Sequence, residues 1–409
     1  MFKAYRYRLI TTLKQEKKIQ EHLSLHRFVY NRMLKQRINI YKKKKVSLNY
    51  QKHQQKQLPL LKDNRPELQA TYSTSLQETT ARLDSAFQNL FNRIKKGEKG
   101  GFPRFKNKDR FNSLHYSNGF QINGNKITLS KLGTFKFRKS RDYDGKIKKV
   151  ILKKSGNNFY ISIICEVKAN TKITRIKNIV GVDLGINRYA TISDGNNIET
   201  EKNYEKRLNR LQLNQRRLSK KKLKSNNRFK SKKIVITHHE KVKNSREDFL
   251  HKNSTYLIKT YDVLVFEDLN IQKMLKSESG FKQQSKKSKR TLNRNILDMA
   301  FGKFINLLTY KAEEAGKFLI LINPKNTSKT CSKCHHLNQK DLKNYRIFVC
   351  EECGFKADRD YNASLNILYR GLDTVRNTEI NACGALAELK DMIIDQPKNI
   401  VCDLVYAKG

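Results

Sequence analysis

Polar and apolar residues alternate at the start of the chain. Tyr5, Tyr7 and Leu9 fall on one side of the Lys3–Ile10 segment and Ala4, Arg6 and Arg8 on the other, a period of two that predicts a strand with one wetter face. From Lys14 to about Ile94 the period turns helical: Leu23, Phe28, Val29, Met33 and Ile40, then Leu76, Thr80, Leu83, Phe87, Leu90 and Phe91. Gly97 to Phe105 (GEKGGFPRF) breaks that pattern with glycine and proline. It reads either as a close backbone approach to phosphate or as a basic surface loop that packs Phe102 and Phe105 inward. Alternation then resumes from Phe111 to Val167, with turns at Asn123–Asn125, Asp142–Gly145 and Ser155–Asn158. This predicts antiparallel strands forming a small barrel that the N-terminal strand completes.

Lys168 to Asn178 is basic and lacks apolar periodicity, which marks a domain boundary. Ile179 to Ile186 (IVGVDLGI) reads as a buried strand carrying one acid, Asp183, with Tyr189–Ser193 as its partner. Glu201–Phe249 reads as a helical hairpin with Leu208, Leu211 and Leu218 on one stripe. Val263–Asn270 (VLVFEDLN) is a second buried strand ending in Glu267, with Asp268 pointing the other way. Ser277–Arg290 is rich in Lys, Ser and Gln and is expected to be a loop. Leu297, Phe301, Phe304, Ile305 and Leu308 predict an amphipathic helix, Phe318–Ile322 a strand and Tyr361–Tyr369 a helix, and Leu386, Leu389, Met392 and Ile393 have the spacing of a short helix in the tail. The fold class expected is α/β and multidomain.

Charge narrows the partners. The chain has 409 residues, enough for two or three domains with separate cores, and 86 Lys and Arg stand against 37 Asp and Glu, a net +49. Such an excess repels itself unless polyphosphate balances it, so nucleic acid is the expected partner. Between positions 201 and 250 there are 17 Lys and Arg against 5 Asp and Glu, either a solvated face or a contact with a nucleic-acid backbone. His238, His239 and His251 in this region read as core or phosphate-side residues rather than ligands. A membrane surface is disfavoured, because Met1–Ile10 lacks an apolar signal core and no apolar run approaches a bilayer span. The seven cysteines fit a reducing compartment.

Four of those cysteines form two C-x-x-C pairs, Cys331 with Cys334 and Cys350 with Cys353, separated by fifteen residues. Two thiolate knuckles so spaced fit one structural zinc held tetrahedrally with no open position. Two disulfides are the other reading, which a chain of this size without a leader has little use for. His335 and His336 are alternative ligands, but sulfur already fills all four positions.

Three acids remain: Asp183 and Glu267 at strands, and Asp360 at the head of a helix. An acid inside an apolar strand is costly unless a cation or partner satisfies it. Either these acids are ion-paired in a very basic chain, or they hold divalent cations. Two ions about 4 Å apart can activate water and stabilise the leaving oxygen of a phosphodiester, and magnesium prefers such oxygen ligands. Asp358 lies two residues before Asp360, and Arg359 can pair with either.

The motifs GVDLGI, FEDLN, TSKTCSKC, CEECGF and DRDYNAS together resemble those of the TnpB family, as do the opening KAYRYRL, GFPRFK, the R-x-D-x-x-H-K stretch from Arg246 to Lys252, and NACG from Asn381 to Gly384. His335 departs from the pattern, standing where the family has glycine. The resemblance implies a transposon-encoded, RNA-guided DNA endonuclease related to type V CRISPR effectors. Its RuvC-like, RNase H-like core would span residues 178–325 and 356–382, with the zinc ribbon (326–355) as a target-nucleic-acid-binding insert. A wedge-like β-barrel would comprise residues 1–12 and 97–170, with a helical recognition lobe at 13–96 and a C-terminal tail at 383–409. Asp183, Glu267 and Asp360 would be the catalytic residues, holding two Mg2+, and Cys331, Cys334, Cys350 and Cys353 would hold one Zn2+. The partners implied are a guide RNA from the transposon end and double-stranded DNA beside a short flanking motif, with no membrane and no small-molecule cofactor, in the cytoplasm of a bacterium or archaeon, near the nucleoid. A guide-directed repressor that binds without cutting, or an accessory transposase protein, are the alternatives.

Overall fold

A computed structural model describes residues 1–45, 57–168, 176–200, 202–276, 286–339 and 346–376. Most of the basic linker, residues 277–285 of the Lys/Ser/Gln-rich run and the tail, with NACG and the tail's apolar residues, lie outside the described residues; the rest of that run, 286–290, is helical rather than a loop. The chain divides into two compact units, Met1–Lys168 and Ala169–Gly409.

In the first unit, strand β1 (Phe2–Ile10) leads into helix α1 (Leu13–Lys44). The turn between them is fixed by a capping box: Thr12 accepts from the Gln15 amide, and the Gln15 side chain accepts from the Thr12 amide. Helix α2 (Leu58–Asp63), a 3-10 turn and helix α3 (Ser73–Lys95) follow. Six strands complete the unit: β2 (Ser113–Tyr116), β3 (Phe120–Asn123), β4 (Lys126–Leu129), β5 (Gly133–Arg138), β6 (Lys146–Ser155) and β7 (Asn158–Glu166). The sheet order is β2-β6-β7-β1-β5-β4-β3, so β1 sits at its centre, joining the β3–β5 meander to the β6–β7 hairpin. The edge strands β2 and β3 are not paired with each other among the described residues, so the hydrogen-bond order is that of an open sheet rather than a closed barrel. Tyr5, Tyr7 and Leu9 are buried, as the alternation predicts. Phe102 and Phe105 are not packed inward: each is more than half exposed, with Phe102 resting edge-on against Phe87.

The second unit is built on strands β8 (Ile179–Leu184), β9 (Arg188–Ile192), β10 (Asn197–Glu199), β11 (Val263–Glu267) and β12 (Phe318–Ile322), in the order β10-β9-β8-β11-β12. β8, β11 and β12 are parallel, whereas β9 runs antiparallel to both its neighbours, β8 and β10. Parallel strands covered on both faces need apolar residues throughout, which is why IVGV and VLVF read as unbroken runs. Val180, Val182, Leu264 and Phe266 face helices α5 (Asn226–Thr260) and α8 (Phe301–Ala315). Ile179, Val263, Val265 and Ile320 face helix α9 (Arg359–Arg376), through Ile367, Leu368 and Leu372.

Helix α4 (Lys202–Ser219) pairs with α5 as the predicted hairpin, closed by Leu208, Leu211 and Leu218 against Val235 and Val242. His238 is half-buried and His239 and His251 are exposed, so none of them is a core residue. Helices α6 (Ile271–Lys276) and α7 (Lys286–Met299) precede α8. The single helix expected around Leu297 to Leu308 is two, because Ala300 takes a left-handed conformation (φ 54°) and breaks it, leaving Leu297 more than half exposed. A short hairpin of β13 (Ile347–Val349) and β14 (Lys356–Asp358) completes the unit. Among the described residues no helix is long and apolar enough to cross a membrane.

α9 lies almost on the backbone of β8. A Cβ at Gly181 would come 2.2 Å from the Ser364 carbonyl oxygen and 2.5 Å from the Leu368 nitrogen. Gly181→Ala is therefore expected to force the helix off the sheet and to destabilise this unit by about 2–4 kcal/mol, measured as a lowered midpoint in urea.

Candidate active site

Two strands and one helix bring the acids together. Asp183 and Glu267 stand near the carboxyl ends of the adjacent parallel strands β8 and β11, on the face covered by α9, and Asp360 is in the first turn of α9. Carboxyl ends of parallel strands are where open α/β sheets place their ligands. The Asp183 carboxyl is pushed up to about 7, first by burial and then by the negative fields of Glu267 and Asp360, with Arg359 pulling the other way. Glu267 is also raised, again chiefly by burial; Thr327, whose hydroxyl donates to it, and Arg370 oppose that rise. The charged form of Asp183 is therefore costly up to about neutral pH, because burial and the neighbouring acids both disfavour it.

Asp358 and Arg359 have separate roles. The Asp358 carboxylate accepts from the amides of Asp360 (2.9 Å) and Tyr361 (3.2 Å), capping α9, and pairs with Arg188 at 3.1 Å. Arg359 lies 3.8 Å from Asp360, so the pairing left open in the sequence falls to Asp360. No sequence signal singled out Arg188, which holds the cap of the helix that carries Asp360.

The four cysteines gather so that their sulfurs all lie within 4.8 Å of one another. Cys331 and Cys353 sulfurs are 3.7 Å apart, and Cys334 and Cys350 sulfurs 3.5 Å. These spacings are too long for disulfides and close to the edge of about 3.8 Å of a tetrahedron with 2.3 Å zinc–sulfur bonds. The two knuckles match bond for bond: the His335 amide returns to the Cys331 carbonyl as Gly354 returns to Cys350. His335 and Gly354 occupy equivalent left-handed positions, φ 60° and 67°. The glycine that the resemblance leads one to expect at 335 answers to a real backbone demand, which histidine meets at a cost of about 1–2 kcal/mol. The His335 ring rests edge-on against Tyr369, 5.7 Å between centroids. Burial pushes the Cys350 thiol up, but the amides of Cys353 and Glu352 and the neighbouring sulfurs bring it down to about 6. Among the described residues the four cysteines are the one such ligand set drawn this close, and the three acids are not gathered to that degree.

The cysteine cluster and the acid site share a helix. Asn362, fully buried on α9, accepts from the Ser332 amide (2.9 Å) and donates to the Thr330 carbonyl (2.8 Å). Asn366 donates to the carbonyls of Thr327 (3.0 Å) and Thr330 (2.7 Å). The asparagine of DYNAS thus staples the first knuckle to the helix two residues after Asp360. Its signal in the sequence was its place in that motif, which carries no indication of what it bonds.

Three family models match the chain: one described as "Probable transposase" over residues 162–278, a "Cas12f1-like, TNB domain" over 301–367 and a "Helix-turn-helix domain" over 1–45. The last range is a strand and one long helix here. A "Putative RNA-guided DNA endonuclease InsQ" of Escherichia coli (strain K12) is 30% identical over 334 residues, 80% of this chain and 80% of that protein. A Streptomyces pristinaespiralis protein of the same description, without the final name, is 29% identical over 395 residues, 93% of this chain and 91% of its own. Among solved structures, that of a Cas12f1-sgRNA-target DNA complex matches with a TM-score of 0.55 at 15% identity, covering 90% of this chain and 98% of that one, a likeness of fold.

The raised Asp183 carboxyl has a consequence for stability. The unfolded chain releases this proton near pH 3.9, so between about pH 4 and 7 the folded state binds more protons and this contribution to stability falls as pH rises. Asp183→Asn is expected to raise the unfolding temperature of the metal-free protein at pH 8, by about 2–4 °C per kcal/mol of relief, and to leave it unchanged at pH 4. Calorimetry at the two pH values checks both.

Proposed function

The chain belongs to the TnpB family, and from that premise we propose that it is an RNA-guided DNA endonuclease with a RuvC-like, RNase H-type core. The observation that carries the proposal is the placement of Asp183, Glu267 and Asp360 at one end of the sheet, where burial first and the two neighbouring acids next push the Asp183 carboxyl up to about 7 in a chain with a net charge of +49. The strand order β10-β9-β8-β11-β12, with β9 alone reversed, supports the RNase H-like reading. The names of the similar proteins support guide RNA and target DNA as partners. Base pairing would then choose the sequence while the protein reads duplex shape and a flanking motif.

The three carboxylates fit hard divalent ions: each is an oxygen donor, and their mutual repulsion is what a cation removes. Magnesium bound there would activate water and stabilise the leaving oxygen of the phosphodiester. The chain's own part is to hold these oxygens in place. Thr327 orients Glu267 through its hydroxyl, and the Arg188–Asp358 pair fixes the first turn of α9, where Asp360 sits. The cysteine tetrad fits one structural zinc, which would lock the knuckle that Asn362 and Asn366 attach to the same helix. The domain assignments stay with this reading: wedge and recognition lobe in residues 1–170, nuclease core with inserted ribbon from 178 to 382.

Purified with its guide RNA, the protein is expected to cut a matched plasmid. Asp183→Ala should lose on the order of 10^3-fold or more of that activity while still retaining the DNA on a filter. Matched binding with no cutting by the wild type in Mg2+ or Mn2+ would overturn the nuclease and leave a guide-directed repressor. Because a proton must leave Asp183 first, the half-saturating Mg2+ concentration should fall about tenfold per pH unit up to about pH 7.

Metal analysis is expected to find about one zinc per chain. Cys350→Ser should lose the zinc and the cutting together, since the knuckle and Asp360 share α9. Full activity in a zinc-free variant would separate ribbon from site.

A further inference from the structure

A cavity of about 710 Å3 lies at the base of the helical hairpin, walled by the β8–β9 turn and by α4, α5 and α7. The acid chemistry makes no use of it. Its lining combines the ring of Tyr204, the amides of Asn209, Gln212 and Asn295, the guanidinium groups of Arg246 and Arg294, and the carboxylates of Glu205 and Asp298, of which Asp298 pairs with Arg246 and leaves Arg294 as the cation for phosphate. An aromatic face for stacking, amides for a base edge and a cation for phosphate are what an unpaired nucleotide requires, and the volume suits a group of that size.

One contact fixes the aromatic wall. Arg246 donates through Nη2 to the Tyr204 hydroxyl and, at 2.7 Å, to Asp298, which holds the Tyr204 ring in place beside the cavity. The β8–β9 turn also joins the cavity to the acids: Asn187 lines the cavity, and the next residue, Arg188, reaches Asp358 at the cap of the Asp360 helix. Both places lie at the carboxyl end of β8, so a strand crossing that edge meets one and then the other.

We propose that this cavity receives one unpaired nucleotide of the DNA strand presented to the acids, a few nucleotides from the bond that is cut, and so sets the cutting register. The pocket rests on the nuclease reading above. Tyr204, held by Arg246, stacks on the base; Asn209, Gln212 and Asn295 meet its polar edge.

The test uses the full protein–guide RNA complex and matched duplexes in which a single abasic nucleotide is walked through the positions around the cut. The expected result is a loss of cutting rate of about tenfold at one or two adjacent positions of one strand. Gln212→Trp, which fills the cavity, and Tyr204→Leu, which removes the ring, should slow the intact substrate by a similar factor and abolish the dependence on the abasic position, because both changes delete the same contact. A flat abasic scan by an active wild type overturns the pocket, as do folded variants that keep both the rate and the positional dependence. A wild type that binds but cuts no matched substrate overturns instead the nuclease reading, and the pocket with it.

Discussion

Carboxylates repel, and a half-buried site amplifies the repulsion. Most of the second unit can be understood as the apparatus needed to hold three of them in one place. Two are carried by neighbouring parallel strands, whose backbones the sheet fixes. The third arrives on a helix pressed so closely to β8 that only glycine fits at position 181. Held this way, the acids cannot relax apart, and burial together with their fields raises the Asp183 carboxyl to about 7. Such preorganisation costs stability, and it is the arrangement on which the proposed cation chemistry rests.

α9 is where the demands meet. Its cap is Asp358, anchored by Arg188; its second residue is Asp360; its buried face packs on the sheet through Ile367 and Leu368; and Asn362 and Asn366 bind the backbone of the cysteine knuckle. The ribbon and the acid site are therefore mechanically one object, although their chemistries, soft sulfur and hard oxygen, are separate.

Much of this was legible before any coordinates. IVGVDLGI and VLVFEDLN read as buried strands because burial on both faces leaves no alternation, and an acid within such a run is conspicuous. The C-x-x-C spacing encodes its tetrahedron directly. What escaped was long-range and polar. Nothing local to Arg188 predicts a partner 170 residues away, and the place of Asn362 in the DYNAS motif does not indicate its two bonds to the backbone before and within the first knuckle. The helix break at Ala300 also escaped, because alanine in a left-handed conformation leaves no signature, whereas glycine would have. In the first unit, alternation identified the strands and the buried face of β1, but strand order depends on pairings that periodicity does not encode.

The order of the acids along the chain bears on synthesis. Asp183 and Glu267 leave the ribosome well before Asp360, which begins the last described helix. A nascent chain can thus fold its first unit while the acid set is still one member short and one face of the second sheet is still uncovered. A product that terminates before α9 lacks Asp360 and the helix that covers one face of the second sheet.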